Sequence, residues 1–151
     1  MNIRLVSVIV AVCFCMQVEA APGASPIEVR VAIFPDVVSP GGIVEAELVV
    51  ENTTQAATVT VQIEGIITYA DGTEDQVTRV KRKGGFTLGP GQGLSVALLI
   101  LVPEDTALGE ATFSATAKVT RLAGGPKRLN AQRPLASSAE ASFEVVEPSS
   151  D

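Results

Sequence analysis

The sequence lacks histidine and tryptophan altogether, and aromatic residues make up only 4% of its 151 positions. Without histidine the chain has no imidazole to act as general base, as metal ligand or as a charge switch near neutral pH. The scarcity of aromatic rings weakens the case for a site that stacks on nucleic-acid bases or sugar rings. These absences exclude histidine-dependent hydrolysis and argue against zinc or copper centres.

Positive charge is also scarce. Lysine and arginine together number 11 against 17 acidic residues, which gives a net charge of −6. A partner made of duplex nucleic acid requires a concentrated basic face, and this composition does not provide one. We therefore expect no nucleic-acid partner.

Residues 1–20 have the features of a signal peptide. Arg4 stands near the start, and an apolar core runs from Leu5 to about Met16. Val18 and Ala20 occupy the small-residue positions that precede a cleavage site. We predict cleavage after Ala20 and export to the periplasm, the cell surface or the medium. An uncleaved anchor is disfavoured, because the apolar core is shorter than the roughly 20 residues that span a bilayer.

The two cysteines, Cys13 and Cys15, lie inside this same segment. A lipoprotein would need a small residue directly before the modified cysteine, whereas Val12 and Phe14 stand there. The chain that remains after cleavage would contain no cysteine and hence no disulfide. Its hydrophobic core must then hold the fold alone.

The longest apolar stretch after this segment runs from Leu94 to Val102 and is closed by Pro103. It is too short to cross a bilayer, and we predict a central strand that is covered on both faces. The next stretch, Glu110 to Val119, alternates between apolar and polar residues, which is typical of a strand with one buried and one solvated face.

Similar alternation predicts further strands over 27–34, 43–51, 57–69, 76–83 and 139–147, separated by Gly, Pro and Asn turns. Gly65 is interpreted as a β-bulge, and Asp71-Gly72 favours a type I′ hairpin turn. The cations of the 76–83 strand are interpreted as protection of a sheet edge. About seven strands predict an all-β fold, an antiparallel immunoglobulin-like β-sandwich over 27–147. A flexible lead-in (21–26) would precede it and a polar tail (148–151) would follow.

The order of turns and strands resembles that of bacterial extracytoplasmic immunoglobulin-like modules. The resemblance rests on Ser39–Gly42 before the strand ending at Asn52, Leu88–Gly91 before Leu94–Pro103, and Leu108-Gly109 before the next strand. The closest type is the cell-adhesion-related, CARDB-like domain. This resemblance implies an exported sandwich with a role in adhesion or scaffolding, and it brings no catalytic residues.

Two short motifs resemble functional sites but also have a simpler structural interpretation. Asp71 to Asp75 spaces oxygen ligands like part of a calcium loop, but it lacks the glycine and the closing glutamate, so a plain hairpin turn is favoured. Asn52-Thr53-Thr54 is an N-glycosylation sequon placed where a turn needs Asn and Thr anyway. We expect no cofactor, no metal and no catalytic residues, and hence no enzyme.

The segment from Leu122 to Ser138 is the one long irregular connection, and it carries Lys127, Arg128 and Arg133. Long loops in small domains are either functional or simply mobile. If functional, the three cations would contact a protein or an anionic component of the cell surface.

Two functions follow as hypotheses. The first is a non-catalytic exported module that serves as an interaction or structural component of the cell envelope. The second is a carrier or sensor for a small ligand or ion. After signal cleavage we expect no stable membrane span.

Overall fold

A computed structural model describes residues 25–77, 82–124 and 135–149. Over these ranges the chain is all-β and forms nine strands, with no helix. The strands are β1 (Ile27–Phe34), β2 (Val37–Val38), β3 (Ile43–Asn52), β4 (Ala57–Thr68), β5 (Glu74–Val77), β6 (Phe86–Leu88), β7 (Gly93–Leu101), β8 (Gly109–Gly124) and β9 (Ala136–Val145). Among these residues no helix is long and apolar enough to cross a membrane.

The strands form two sheets. The smaller has the order β1-β3-β7, and the larger has the order β2-β9-β8-β4-β5, with β6 also paired to β4. All pairs are antiparallel except β2 with β9. Strands 1, 3 and 7 in one sheet and 4, 8 and 9 in the other correspond to the A, B, E and C, F, G strands of the immunoglobulin arrangement. The predicted immunoglobulin-like β-sandwich is confirmed.

The core forms because the inward residues alternate with polar ones along each strand. As the alternation predicts, inward residues of these strands are buried, including Leu48 of β3, Val59, Val61 and Ile63 of β4 and Phe113 of β8. Alanine occupies many of the remaining core positions, so the two sheets are joined by a thin apolar layer. The buried alanines are Ala46, Ala57, Ala111, Ala115 and Ala117.

The sequence-based prediction for the Leu94–Val102 stretch was wrong about its place in the sheet. β7 is an edge strand: it pairs with β3 on one side, and the structure describes no strand on the other. One face packs on the core through Leu98 and Ile100, whereas the alternate residues from Ser95 to Leu101 are exposed. The run is therefore mostly apolar although only one of its faces is covered by the described residues.

The prediction of a bulge at Gly65 was also wrong. The register between β4 and β8 shifts at Thr60/Val61, where Thr120 on β8 is the additional residue. The Thr120 hydroxyl donates to the carbonyl of Thr60 at 3.2 Å. Gly65 instead keeps the alternation, and a Cβ there would lie 2.9 Å from Cε2 of Phe113. The glycine makes room for the ring of Phe113, the largest of the fully buried side chains among the described residues.

The hairpin that joins β4 to β5 differs in turn type from the prediction. The Gly72 amide donates to the carbonyl of Tyr69 at 2.9 Å, and Gly72 has a φ of 83°. Asp71 does not take a positive φ, which a type I′ turn would require at both central residues. The connection is therefore a type I turn followed by a left-handed glycine.

Other boundaries also moved. β5 starts at Glu74, two residues before the predicted strand, and is described as far as Val77. Residues 78–81 lie outside the described ranges, and the cations Arg82 and Lys83 follow at the start of a turn. The irregular segment predicted over 122–138 is shortened at both ends, because β8 continues to Gly124 and β9 starts at Ala136.

A strand switch links the two sheets near the start of the sandwich. β1 pairs with β3 in the small sheet, and two residues later β2 pairs in parallel with β9 in the large sheet. Pro35 and Asp36 make this transition. The sequence predicts only a turn here, because a two-residue strand leaves no periodic pattern.

Candidate interaction surface

The outer face of the small sheet carries the alternate residues of β1, β3 and β7. In β1 every second residue from Ile27 faces the core, so Phe34 lies on the outer face together with Glu28 and Arg30. The cross-strand register then places the outer residues in rows. One row contains Phe34, Glu45 and Leu99, and the adjacent row contains Ile43 and Leu101.

Four large apolar side chains at one end of this face are exposed, and we call them the apolar corner. Their exposed fractions are 76% for Phe34, 56% for Ile43, 63% for Leu99 and 66% for Leu101. Ile43 and Leu101 are direct cross-strand partners, and diagonal neighbours in a sheet lie within about 8 Å of each other. The apolar corner is therefore one contiguous patch rather than scattered residues.

The opposite end of the same face is polar. Nη2 of Arg30 lies 2.7 Å from Oε1 of Glu51, and the Ser95 hydroxyl donates to Oε1 of Glu47 at 3.3 Å. These contacts are exposed and contribute little to stability. They do define the boundary of the apolar corner, beyond which the face is well solvated.

The backbone of β7 is available for pairing along its free edge. The Asn52 amide donates to the carbonyl of Gln92, and the Val102 amide donates to the carbonyl of Gly42, both at 2.9 Å. Antiparallel pairs alternate between hydrogen-bonded and non-hydrogen-bonded types. Even-numbered residues of β7 thus bond to β3, and odd-numbered residues from Gly93 to Leu101 direct N–H and C=O away from it.

The other sheet edges carry features that discourage pairing. β2 has two residues, and the described residues of the edge formed by β5 and β6 include the charged Glu74, Asp75 and Arg82. β1 carries Glu28 and Arg30 and ends before Pro35. β7, with the sequence GLSVALLIL, has no charged residue and no proline in nine residues.

The contact site predicted from the sequence lies outside the described ranges. It consists of Lys127, Arg128 and Arg133. The apolar corner was missed, because Leu99 and Leu101 were interpreted as buried. The sequence did contain a signal for it. The alternation of β1 assigns Phe34 to the outer face. If one face of β7 is solvated, the same alternation places Leu99 and Leu101 on that outer face.

The calcium-like motif acts as a turn. Oδ1 of Asp71 accepts hydrogen bonds from the Thr73 amide at 2.9 Å and from its hydroxyl at 2.7 Å. The hydroxyl bond, followed by the amide bond, lowers the pKa of Asp71. Among the described residues no group of three potential ligands is arranged to hold a metal ion.

The Asn52 of the sequon is a buried structural residue. It is 1% exposed, and its Nδ2 donates to the carbonyls of Ala57, Leu88 and Gly89 at 2.8, 3.1 and 2.8 Å. Its Oδ1 accepts from the Thr54 amide at 3.0 Å and from the Thr54 hydroxyl at 2.7 Å. The amide nitrogen is thus inaccessible to a modifying enzyme once the chain has folded.

A small cavity lies on the side of the sandwich near the strand switch. It measures about 200 Å³ and is lined by Asp36, Glu110, Ser142, Phe143 and Glu144. Pockets that bind small organic ligands usually measure about 300–1,000 Å³. The size of this cavity does not favour an organic ligand.

Comparison with known proteins places the fold. No protein-family model matches the chain, and no curated protein sequence matches it. Among solved structures, the chain is similar to the Pseudomonas fluorescens alkylpurine DNA glycosylase AlkC, with a TM-score of 0.56 and 15% identity, over 80% of this chain and 30% of that one. It is also similar to the C-terminal domain of wzt, with a TM-score of 0.55 and 12% identity, over 84% and 77% of the two chains.

A CARDB domain from Pyrococcus furiosus is a more distant match, with a TM-score of 0.39 and 19% identity, over 80% and 85% of the two chains. The chain thus spans less than a third of the glycosylase, and at these identities the likeness concerns the fold alone. The chain is an immunoglobulin-like β-sandwich module.

Proposed function

We propose that the chain is a non-catalytic exported module that serves as an interaction or structural component of the cell envelope. The observation that carries this proposal is the apolar corner, which lies beside the free edge of β7. Contiguous exposed apolar surface on a soluble domain marks contact sites, and an open strand edge adds main-chain donors and acceptors.

The outer face of the large sheet provides the contrast. There the hydroxyls of Thr112 and Ser142 lie 3.1 Å apart, and Nζ of Lys118 lies 3.3 Å from Oε2 of Glu64. The hydroxyl and charged side chains of this face make it well suited to contact with water. The small sheet is therefore the better candidate for a contact surface.

The cell-adhesion-related assignment rests on the turn and strand order of the sequence, and export rests on residues 1–20. Intact-mass measurement of periplasmic or secreted material tests export: we expect a chain that starts at Ala21. Full-length protein retained in the membrane fraction would contradict it.

The alternative of a small-ligand or ion carrier has less support, because the cavity near Asp36 is small for an organic ligand and no group of three potential metal ligands is arranged around an ion site in the described part of the chain. The non-catalytic role is supported by the absence of histidine from the whole sequence. A screen of small molecules and ions by thermal shift would revive the carrier hypothesis if one of them raised the melting temperature.

Site-specific photo-crosslinking in the native cells tests the contact surface. A photoreactive residue at Leu101, in the apolar corner, should give a crosslinked product. The same residue at Gln62, which is exposed on the large sheet, should not. Equal products at both positions, or none at Leu101, would contradict the proposal. The mass of the product identifies the partner.

A further inference from the structure

We propose that β7 pairs with β7 of a second copy, antiparallel about a two-fold axis through Ala97, so that two small sheets become one sheet of six strands. This inference rests on the proposed function, because it names the partner of the surface described there. Its test is separate, since a monomer in solution would leave another partner for the apolar corner.

The backbone geometry fixes the register. Ala97 is the midpoint of Gly93–Leu101, and it belongs to the odd-numbered set whose N–H and C=O groups point to the free edge. Pairing centred on Ala97 uses the whole strand: Ser95 lies opposite Leu99 of the other copy, and Gly93 lies opposite Leu101. Each of the five pairs exchanges two hydrogen bonds, about ten in total.

The side chains on the outer face complement one another in size in this register. The first half of β7 presents Gly93 and Ser95, and the second half presents Leu99 and Leu101. The two-fold axis therefore places each leucine of one copy over a small residue of the other. Because the side chains on the outer face increase in size along β7, this edge is complementary to its own antiparallel copy. This complementarity favours a second copy of the chain over an unrelated extended segment as the partner.

Charge does not oppose this contact at close range. β7 itself is uncharged, and the nearest acidic residue in the central row is Glu47, the cross-strand partner of Ala97. In the paired sheet, Glu47 and its copy are separated by three strand spacings, about 14 Å. That exceeds the Debye length of about 8 Å at physiological ionic strength.

The area of this contact is small, so the dimer should be weak. A nine-residue strand is about 30 Å long, and with a sheet thickness of about 10 Å the contact covers about 300 Å² on each copy. Specific complexes usually bury about 800 Å² on each partner. We therefore expect a reversible dimer whose population rises with concentration.

Cysteine crosslinking tests the register directly. In the full chain with Cys13 and Cys15 replaced by serine, Ala97→Cys should form a disulfide-linked dimer on mild oxidation. The Cα atoms of a hydrogen-bonded antiparallel pair lie about 5.5 Å apart, within the range that a disulfide spans.

Ser95→Cys in the same background is the matched control. It should not crosslink to itself, because its copy lies four residues along the strand, about 13 Å away. A mixture of the Ser95→Cys and Leu99→Cys chains should crosslink. Equal crosslinking of Ala97→Cys and Ser95→Cys alone would overturn the register.

A charge on the axis tests the association itself. Ala97→Lys places two ammonium groups opposite each other, and sedimentation analysis should show loss of the dimer at every concentration at which the natural chain pairs. The control is Ala32→Lys, which lies exposed in the same row, on the far side of Glu47, and should leave the dimer intact.

Circular dichroism checks that both variants keep the fold, and Ser95→Lys repeats the test at a position that is already polar. A natural chain that sediments as a monomer at all concentrations would overturn the inference. A crosslinked product of another mass at Leu101 would then still support the proposed function, whereas no product at all would overturn both.

Discussion

At the scale of single residues, Asn52 illustrates how one buried amide ties several segments together. Its side chain joins the end of β3 to the start of β4 and to the turn before β7. A buried carbonyl that loses its donor is costly. Removing the amide would take a donor from the carbonyls of Leu88 and Gly89 and from that of Ala57, which also accepts from the Thr54 hydroxyl at 2.9 Å.

Asn52→Ala should therefore lower the free energy of unfolding by about 2–4 kcal/mol, as measured by urea denaturation. Thr53→Ala is the neighbouring control: its hydroxyl makes one exposed bond, to the carbonyl of Ser25 at 3.2 Å, and the change should stay within about 0.5 kcal/mol. Comparable losses in the two variants would show that the amide network is not the cause.

Tyr69 is a second informative residue, because it is the only tyrosine and the chain has no tryptophan. Burial, followed by the charge of Asp75, raises its pKa from 10.0 to about 12. The folded state thus favours the neutral phenol. The resulting stability is present in full below pH 10.0 and is lost as the pH rises towards about 12.

Alkaline titration of the tyrosinate absorbance should give a midpoint well above 10.0 in the native protein and close to 10.0 in denaturant. Asp75→Asn should lower the native midpoint only in part, because burial is the larger cause. A native midpoint at the ordinary value would show that the phenol is solvated.

At the scale of elements, the phase of each strand decides which substitutions matter. Phe113 on β8 is fully buried, whereas its neighbour Thr112 points to the outer face and shares a hydrogen bond with Ser142. Phe113→Ala should cost about 3–5 kcal/mol, and Thr112→Ala should cost no more than about 1 kcal/mol. Thermal or urea unfolding of both variants measures the difference, and equal costs would mean that the strand phase is wrong.

The phases of β1, β3, β4 and β8 could be predicted from sequence because alternation is a local pattern. Whether a strand is central or at an edge depends on which distant strand lies beside it, and no local pattern encodes that. β7 shows this limit: its run of apolar residues fits a covered strand and an uncovered one equally well. The bulge at Thr60/Val61 likewise depends on the register with β8.

The candidate site was harder to predict than the fold. The cations Lys127, Arg128 and Arg133 stood out in sequence because they lie in a segment without strand periodicity, and their contribution stays a prediction. The apolar corner did not stand out, because leucine and isoleucine in a strand are usually buried. Only the pairing of β3 with β7 shows that Leu99 and Leu101 lack a cover.

At the scale of the whole molecule, net charge should govern how the dimer responds to salt. Each copy carries a net charge of −6, so two copies repel each other at long range. Raising the salt concentration from about 0.01 M to about 0.15 M shortens the Debye length from about 30 to about 8 Å. The dimer should therefore become tighter with added salt, as measured by sedimentation equilibrium.

Binding of Lys127, Arg128 and Arg133 to an acidic partner would respond to salt in the opposite sense, becoming weaker. The sign of the salt effect thus distinguishes self-association through β7 from contact through the cationic segment. A dimer weakened by salt would contradict the edge-to-edge arrangement.

The two-fold geometry of this contact also limits how far association can run. Because β7 pairs with its own copy about a two-fold axis, each molecule uses this edge once, and the assembly closes at two. On the other side of the same sheet, the charges of Glu28 and Arg30 on β1 discourage a further contact of this kind. Replacing Glu28 and Arg30 with valines would remove the charges that discourage pairing along β1. The small sheet would then have a second open edge. Head-to-tail growth into fibres would then compete with the closed pair.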